Sequence, residues 1–134
     1  MASIFTRIII GEIPCYKIAE DEKCFAFLDI SPLAKGHTLV VPKIETDYIF
    51  DIADDEHKYL WNYAKYVAHA VKAAIPCKRI GIAVIGLEVP HAHIHLIPMN
   101  KVSDMNFANP KLKVADNEML EIAERIRSSF QKEY

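Results

Sequence analysis

The segment VPHAHIHLIPM, residues 89–99, constrains the fold more than any other stretch of this chain. In an extended strand, successive side chains point to opposite faces. His91, His93 and His95 then share one face, and Ala92, Ile94 and Leu96 share the other. The apolar face belongs on a core. An imidazole buried without a partner is costly, so the histidine face must open onto a polar cleft. Half of the six histidines fall within these five positions, which makes chance a poor explanation.

The surrounding pattern supplies the rest of an α+β domain. Residues 3–10 read as a short helix presenting Ile4, Phe5, Ile8 and Ile9, stopped by Gly11 and Pro14. Residues 16–20 and 23–29 read as strands around an acidic turn, and residues 37–42 (HTLVVP) as a third. Asp54, Asp55 and Glu56 suit the first turn of a long helix that runs to about Ala74, with Leu60, Tyr63, Ala64, Val67 and Val71 as its apolar stripe. Residues 79–86 and 91–97 are the last two strands. A polar loop of about 20 residues follows, a length that is often functional. Asp116 is placed to cap a final helix that buries Met119, Ile122, Ala123 and Ile126. Segregated strands and helices of this kind predict helices packed on an antiparallel sheet.

At 134 residues the chain fits a single domain, 1–134. It contains no apolar run of about 18 residues, so no membrane span is expected. MASIFTRIII lacks the layout of a signal peptide, and the expected location is the cytoplasm. A net charge of −2 with both signs mixed provides no basic footprint for nucleic acid. Cys15, Cys24 and Cys77 are odd in number and form no CxxC, which argues against a disulfide framework or a thiolate zinc site. They read as buried, inert thiols.

Three chemistries are open to the alternating histidines. One is purely structural. A second is a metal site, but His91 and His95 lie about 13 Å apart along a strand at roughly 3.3 Å per residue, so all three converge on one ion only with strain. Two of them would need further ligands, with Glu88 and His37 as candidates. The third is a nucleophile with helpers. Neutral imidazole attacks phosphorus well, the resulting phosphorus–nitrogen bond is labile to water, and flanking imidazoles can orient the nucleophile or donate to phosphoryl oxygens.

HAHIHLI, residues 91–97, resembles the motif of the histidine triad (HIT) family of nucleotide hydrolases and transferases. Residues 3–43, SIFTRIIIGEIPCYKIAEDEKCFAFLDISPLAKGHTLVVPK, resemble the N-terminal half of that family, in its bacterial Hint-like branch. The resemblance implies a HIT-like fold: a five-stranded antiparallel sheet with two main helices, the long central one and the C-terminal one, often in a homodimer. It implies a purine nucleotide substrate and cleavage of the bond between the α-phosphate and its substituent. The substituents implied are those of nucleoside phosphoramidates or dinucleoside polyphosphates. The route is a nucleotidyl-histidine intermediate that releases a nucleoside monophosphate, with no cofactor and no metal.

Position by position, His93 resembles the nucleophile and His95 its partner near the phosphate. His91 resembles the histidine that orders the site from behind, and His37, in KGHTLVVP, a further supporting histidine. Asp29 resembles the acceptor of the ribose hydroxyls. Ile4, Phe5, Ile8, Phe27 and Ile30 resemble the apolar pocket of the base, although spacing alone would assign them to core.

Two departures stand out. Many bacterial relatives carry C-x-x-C, part of a zinc site, where this chain has Ser3-Ile4-Phe5-Thr6. Both hydroxyl residues are poor zinc ligands, and no zinc is expected here. Before the triad, Leu87 and Glu88 stand where the family usually has Gln and Ser or Thr. Glu88 is either a proton donor to the leaving group, a selector of cationic leaving groups, or a carboxylate turned away. This departure keeps open an alternative from another class: a catalytically weak nucleotide-binding sensor or partner protein. His57 and His69 read as helix-surface residues. Lys101, Lys111 and Lys113 on the long loop either approach a substrate's phosphates or, more simply, are solvated.

Overall fold

The computed structural model describes residues 2–133, with side chains up to Phe130. Its elements are α1 (Ile4–Ile9), β1 (Lys17–Glu20), β2 (Cys24–Leu28), β3 (Thr38–Pro42), α2 (Asp54–Ala74), β4 (Arg79–Ala83), β5 (Ile94–Met99) and α3 (Asp116–Glu133). Two 3₁₀ turns, Ile49–Asp51 and Val102–Met105, complete the order. The strands form one antiparallel sheet in the order β1-β2-β3-β5-β4. β5, although last in the chain, is inserted between β3 and β4, so the triad segment leads directly into an interior strand.

The interior strands are buried on both faces. Towards α2 and α3 they present Ala26, Leu28, Val40, Ile94 and Leu96, which pack with Leu60, Val67, Val71, Ile122 and Ile126. Each of the valine, leucine and isoleucine side chains among them contributes about 1.5–3 kcal/mol of burial. On the other face Phe25, Phe27, Leu39 and Val41 form a second apolar cluster, and α1 lays Phe5 over it. His93 and His95 project to that second face. Their cleft is therefore bordered by a small core of its own.

Several boundaries differ from expectation. β5 begins at Ile94, because the Ala92 amide donates to the Thr46 carbonyl (2.7 Å) instead of joining the ladder. His91 and His93 thus sit in an extended lead-in. β4 ends at Ala83, three residues early. Asp116 is the first helical residue of α3: the Met119 amide bonds the Ala115 carbonyl (2.9 Å), and the Asp116 carboxylate accepts from the Tyr16 hydroxyl (2.8 Å). No helix among the described residues is long and apolar enough to cross a membrane.

Gly36 sets the geometry just before β3. Its φ is +93°, a region other residues rarely adopt, and a Cβ there would lie 2.9 Å from Ile75 Cγ1. Only glycine lets the chain turn this close to α2 and deliver His37 to the head of the strand.

Candidate active site

His91 is fully buried, and its partners determine its tautomer. The Pro42 carbonyl, 2.7 Å from Nε2, can only accept, so Nε2 carries the proton. In the neutral ring Nδ1 then accepts from the Ser3 hydroxyl at 2.8 Å. The carbonyl of His91 in turn accepts from Nδ1 of His93 at 2.7 Å. In the neutral ring this leaves the His93 lone pair on Nε2. Phe5 packs edge-on against both rings, with centroids 5.8 Å from His91 and 4.9 Å from His93.

A second chain of bonds orders His95. The backbone amide of Leu33 donates to His37 Nδ1 (3.0 Å), so the proton of His37 sits on Nε2. That proton meets His95 Nδ1 at 2.9 Å. His95 Nδ1 is thus an acceptor, and Nε2–H is left as a donor. The ring centroids of His93 and His95 are 5.0 Å apart, so the ring with the free lone pair and the ring with the free N–H are neighbours in the cleft. That pairing can attack a phosphorus atom and hold one of its oxygens.

Burial, more than any neighbour, keeps both relay rings neutral. It pushes His37 down to about 3, helped by the facing His95 and Lys111, and His95 down to about 4, helped by His93 and Lys111. In the unfolded chain such rings titrate near 6.5. Between pH 6.5 and about 3 the unfolded chain therefore binds protons that the folded chain refuses. The stability these two rings confer is complete above pH 6.5 and falls as the pH drops through that window. Asp29 acts in the opposite sense, because burial raises its carboxyl and its protonation in the fold offsets part of the loss. Urea unfolding between pH 7 and pH 4 is expected to show a net loss on the order of a few kcal/mol. Stability that stayed flat across this range would contradict the assignment of neutral rings.

These groups line a cleft of about 530 Å³. Of the residues singled out in the sequence, Ile4, Phe5, Ile8, Phe27, Asp29, Ile30, His37, Glu88, His93 and His95 all border it. His91 does not line it and stands behind. Phe5 and Phe27 are buried members of the second apolar cluster, so they are core and pocket wall at once. Ile4 and Ile30 are the exposed apolar surfaces at the rim. Asp29 Oδ1 accepts from the Ser31 amide (2.8 Å), and Oδ2 lies 3.6 Å from His37 Nε2. Glu88 is exposed at the mouth, and Leu87 beside it is 88% exposed, so no hydroxyl reaches the cleft from this turn.

The loop after β5 is more involved than simple solvation suggests. The Leu112 amide donates to the Pro32 carbonyl (2.8 Å) and folds the loop back over the site. Phe107 stacks edge-on 5.0 Å from His95, and Lys111 Nζ donates to the Phe107 carbonyl at 2.7 Å. Lys111 borders the cleft and brings a positive charge to it. Phe107 carries no recognisable signal in the sequence, since one aromatic in a polar loop has no periodicity to read.

Asp29, His37 and His95 offer three ligand atoms within 4.8 Å of one another. A zinc ion needs the lone pairs of both rings to converge on a point about 2.0–2.1 Å from each. Here the His37 Nε2–H points at the His95 lone pair, which is the geometry of a shared proton. Ser3, weighed in the sequence with Thr6 as a poor zinc ligand, is instead hydrogen-bonded to His91 Nδ1 at 2.8 Å, and Thr6 Oγ1 lies 3.4 Å from the same nitrogen.

The HIT domain model matches residues 10–102 of the chain. The adenosine 5′-monophosphoramidase of Schizosaccharomyces pombe is 30% identical, the match covering 97% of this chain and 99% of that protein. The enzyme of the same name from Saccharomyces cerevisiae is 39% identical across 72% of this chain and 62% of its own length. Among solved structures, a Hit-like protein from Bartonella henselae superposes with a TM-score of 0.81 at 29% identity, covering 95% of both chains.

Proposed function

Because the chain belongs to the HIT domain family, we propose that it is a hydrolase of purine nucleotides. In this reading it cleaves the bond between the α-phosphate and its substituent by way of a nucleotidyl intermediate on His93. The observation that carries the reading is the 2.7 Å bond from His93 Nδ1 to the His91 carbonyl, which frees Nε2 for attack. The base lies along Ile4, Ile8 and Ile30, and Asp29 accepts from the ribose hydroxyls. Nε2 of His93 forms a bond to phosphorus as the bond to the leaving group breaks, and His95 Nε2–H holds a phosphoryl oxygen through the step. The leaving amine takes up a proton from water at the mouth of the cleft, where Glu88 is exposed. Water then attacks phosphorus, the P–N bond to His93 breaks, and a nucleoside monophosphate departs.

The two yeast relatives named as adenosine 5′-monophosphoramidases support a phosphoramidate as the first substrate to test. Turnover of adenosine 5′-phosphoramidate to AMP is expected, and it should survive a chelator, since no step uses a metal. Activity abolished by chelator and restored by one divalent ion would overturn this mechanism. The exposed Leu87–Glu88 turn favours a second reading, a nucleotide-binding partner protein with little turnover, which predicts AMP binding with no hydrolysis.

A homodimer is part of the proposal. β4 is an edge strand, and beside it Tyr48, Phe50, Ile82 and Leu87 border an open groove of about 510 Å³. An unpaired edge flanked by exposed apolar side chains is a surface that proteins ordinarily cover.

A further inference from the structure

The lead-in to β5 poses a mechanical problem. The β3–β5 ladder pairs only Thr38–Val40 with Ile94–Leu96. The His91 carbonyl, which sets the tautomer of His93, lies outside it. His91 is held instead by the Pro42 carbonyl on one ring nitrogen and by Ser3 on the other, while the neighbouring Ala92 amide is tied to Thr46. Ser3 stands at the head of a six-residue helix, and a helix that short is a weak support by itself.

Glu45 supplies the missing support. Its Oε1 accepts from the Ser3 amide and from the Thr6 hydroxyl, both at 2.7 Å. Ser3 Oγ meanwhile accepts from the Thr6 amide at 3.1 Å. With the Thr6 proton committed to Glu45, the Ser3 hydroxyl proton is directed to His91 Nδ1. The carboxylate itself lies 3.9 Å from that nitrogen. These hydrogen bonds hold the Glu45 carboxyl down at about 2, so it is an anion throughout the working range. Glu45 does not border the nucleotide cleft.

We propose that Glu45 is a positioning residue for the nucleophile: by locking Ser3 against His91 it holds the backbone carbonyl that keeps His93 in its Nδ1–H tautomer. This rests on His93 being the nucleophile of the proposed reaction. The role is that of an acceptor, so Gln, which keeps a carbonyl oxygen at the same reach, should replace Glu45 better than Ala does.

The test joins steady-state kinetics on adenosine 5′-phosphoramidate with ¹⁵N NMR of the histidine ring nitrogens in the full chain. In the wild type, His91 should carry its proton on Nε2 and His93 on Nδ1. In Glu45→Ala, the His93 signals should move towards a tautomer mixture, and kcat should fall about tenfold or more, as expected for a misplaced reacting group. KM should stay within about twofold, because binding contacts are untouched. Glu45→Gln should recover most of the loss. If Glu45→Ala proves poorly folded, Thr6→Val, which removes one bond of the network, should show a smaller shift of the same kind. Unchanged His93 signals with unchanged kcat in Glu45→Ala, or in Thr6→Val where that variant is used, would overturn the proposal. Should the wild type itself fail to turn over, the hydrolase reading is what fails, while the ring-nitrogen signals still judge Glu45.

Discussion

Replacing His93 with Ala is expected to lower release of AMP from adenosine 5′-phosphoramidate by about 10³-fold or more while the protein stays folded. The bond from His93 Nδ1 to the His91 carbonyl places the attacking lone pair on this ring, and removing the ring removes it. The fold has less at stake. The His93 ring faces the cleft on the side of the sheet away from α2 and α3, where it touches Phe5 and His95. Circular dichroism and binding of AMP should therefore remain close to wild type. A His93→Ala protein with undiminished turnover would require another nucleophile, and the reading would be wrong.

His37→Ala should have the next largest effect, a loss of about 10²-fold in kcat without any direct contact between this residue and the reacting bond. The loss follows from proton placement. His37 Nε2–H is what makes His95 Nδ1 an acceptor. Without it, His95 is free to move its proton to Nδ1, and the Nε2–H that would hold a phosphoryl oxygen disappears. The variant also leaves the Leu33 amide without its acceptor. That should cost about 1–3 kcal/mol of stability if the amide stays buried. A kcat within about twofold of wild type would show that the relay does not set the state of His95.

Much of this was legible in residues 89–99. The strict alternation puts Ile94 and Leu96 in the helix-side core and His93 and His95 on the opposite face, and the structure agrees. It also suggested one continuous strand through all three histidines. There the pattern misleads, because a backbone bond to Thr46 takes Ala92 out of the ladder, and side-chain periodicity carries no record of where amides donate. The stripe on α2 was readable for the same reason the strand was: Leu60, Tyr63, Ala64, Val67 and Val71 recur at helical spacing and all are buried. The residues that order the site were not readable in this way. Glu45 meets Ser3 across 42 positions and Thr6 across 39, and an exposed Glu in a turn looks like any other surface charge. Lys111 and Phe107 border the cleft from a loop that the Leu112 amide ties back to the Pro32 carbonyl. Such contacts are decided by tertiary geometry, and one sequence holds no period from which to infer them.

The most direct measurement is the intact mass of the protein after brief mixing with adenosine 5′-phosphoramidate and an acid-free quench, on the wild type and on His93→Ala, with AMP followed in parallel. The proposed mechanism predicts a transient adduct of one adenylyl group on the wild type, absent from His93→Ala, that decays as AMP appears. AMP released at full rate with no adduct at any time, or an adduct that persists on His93→Ala, would contradict attack by His93.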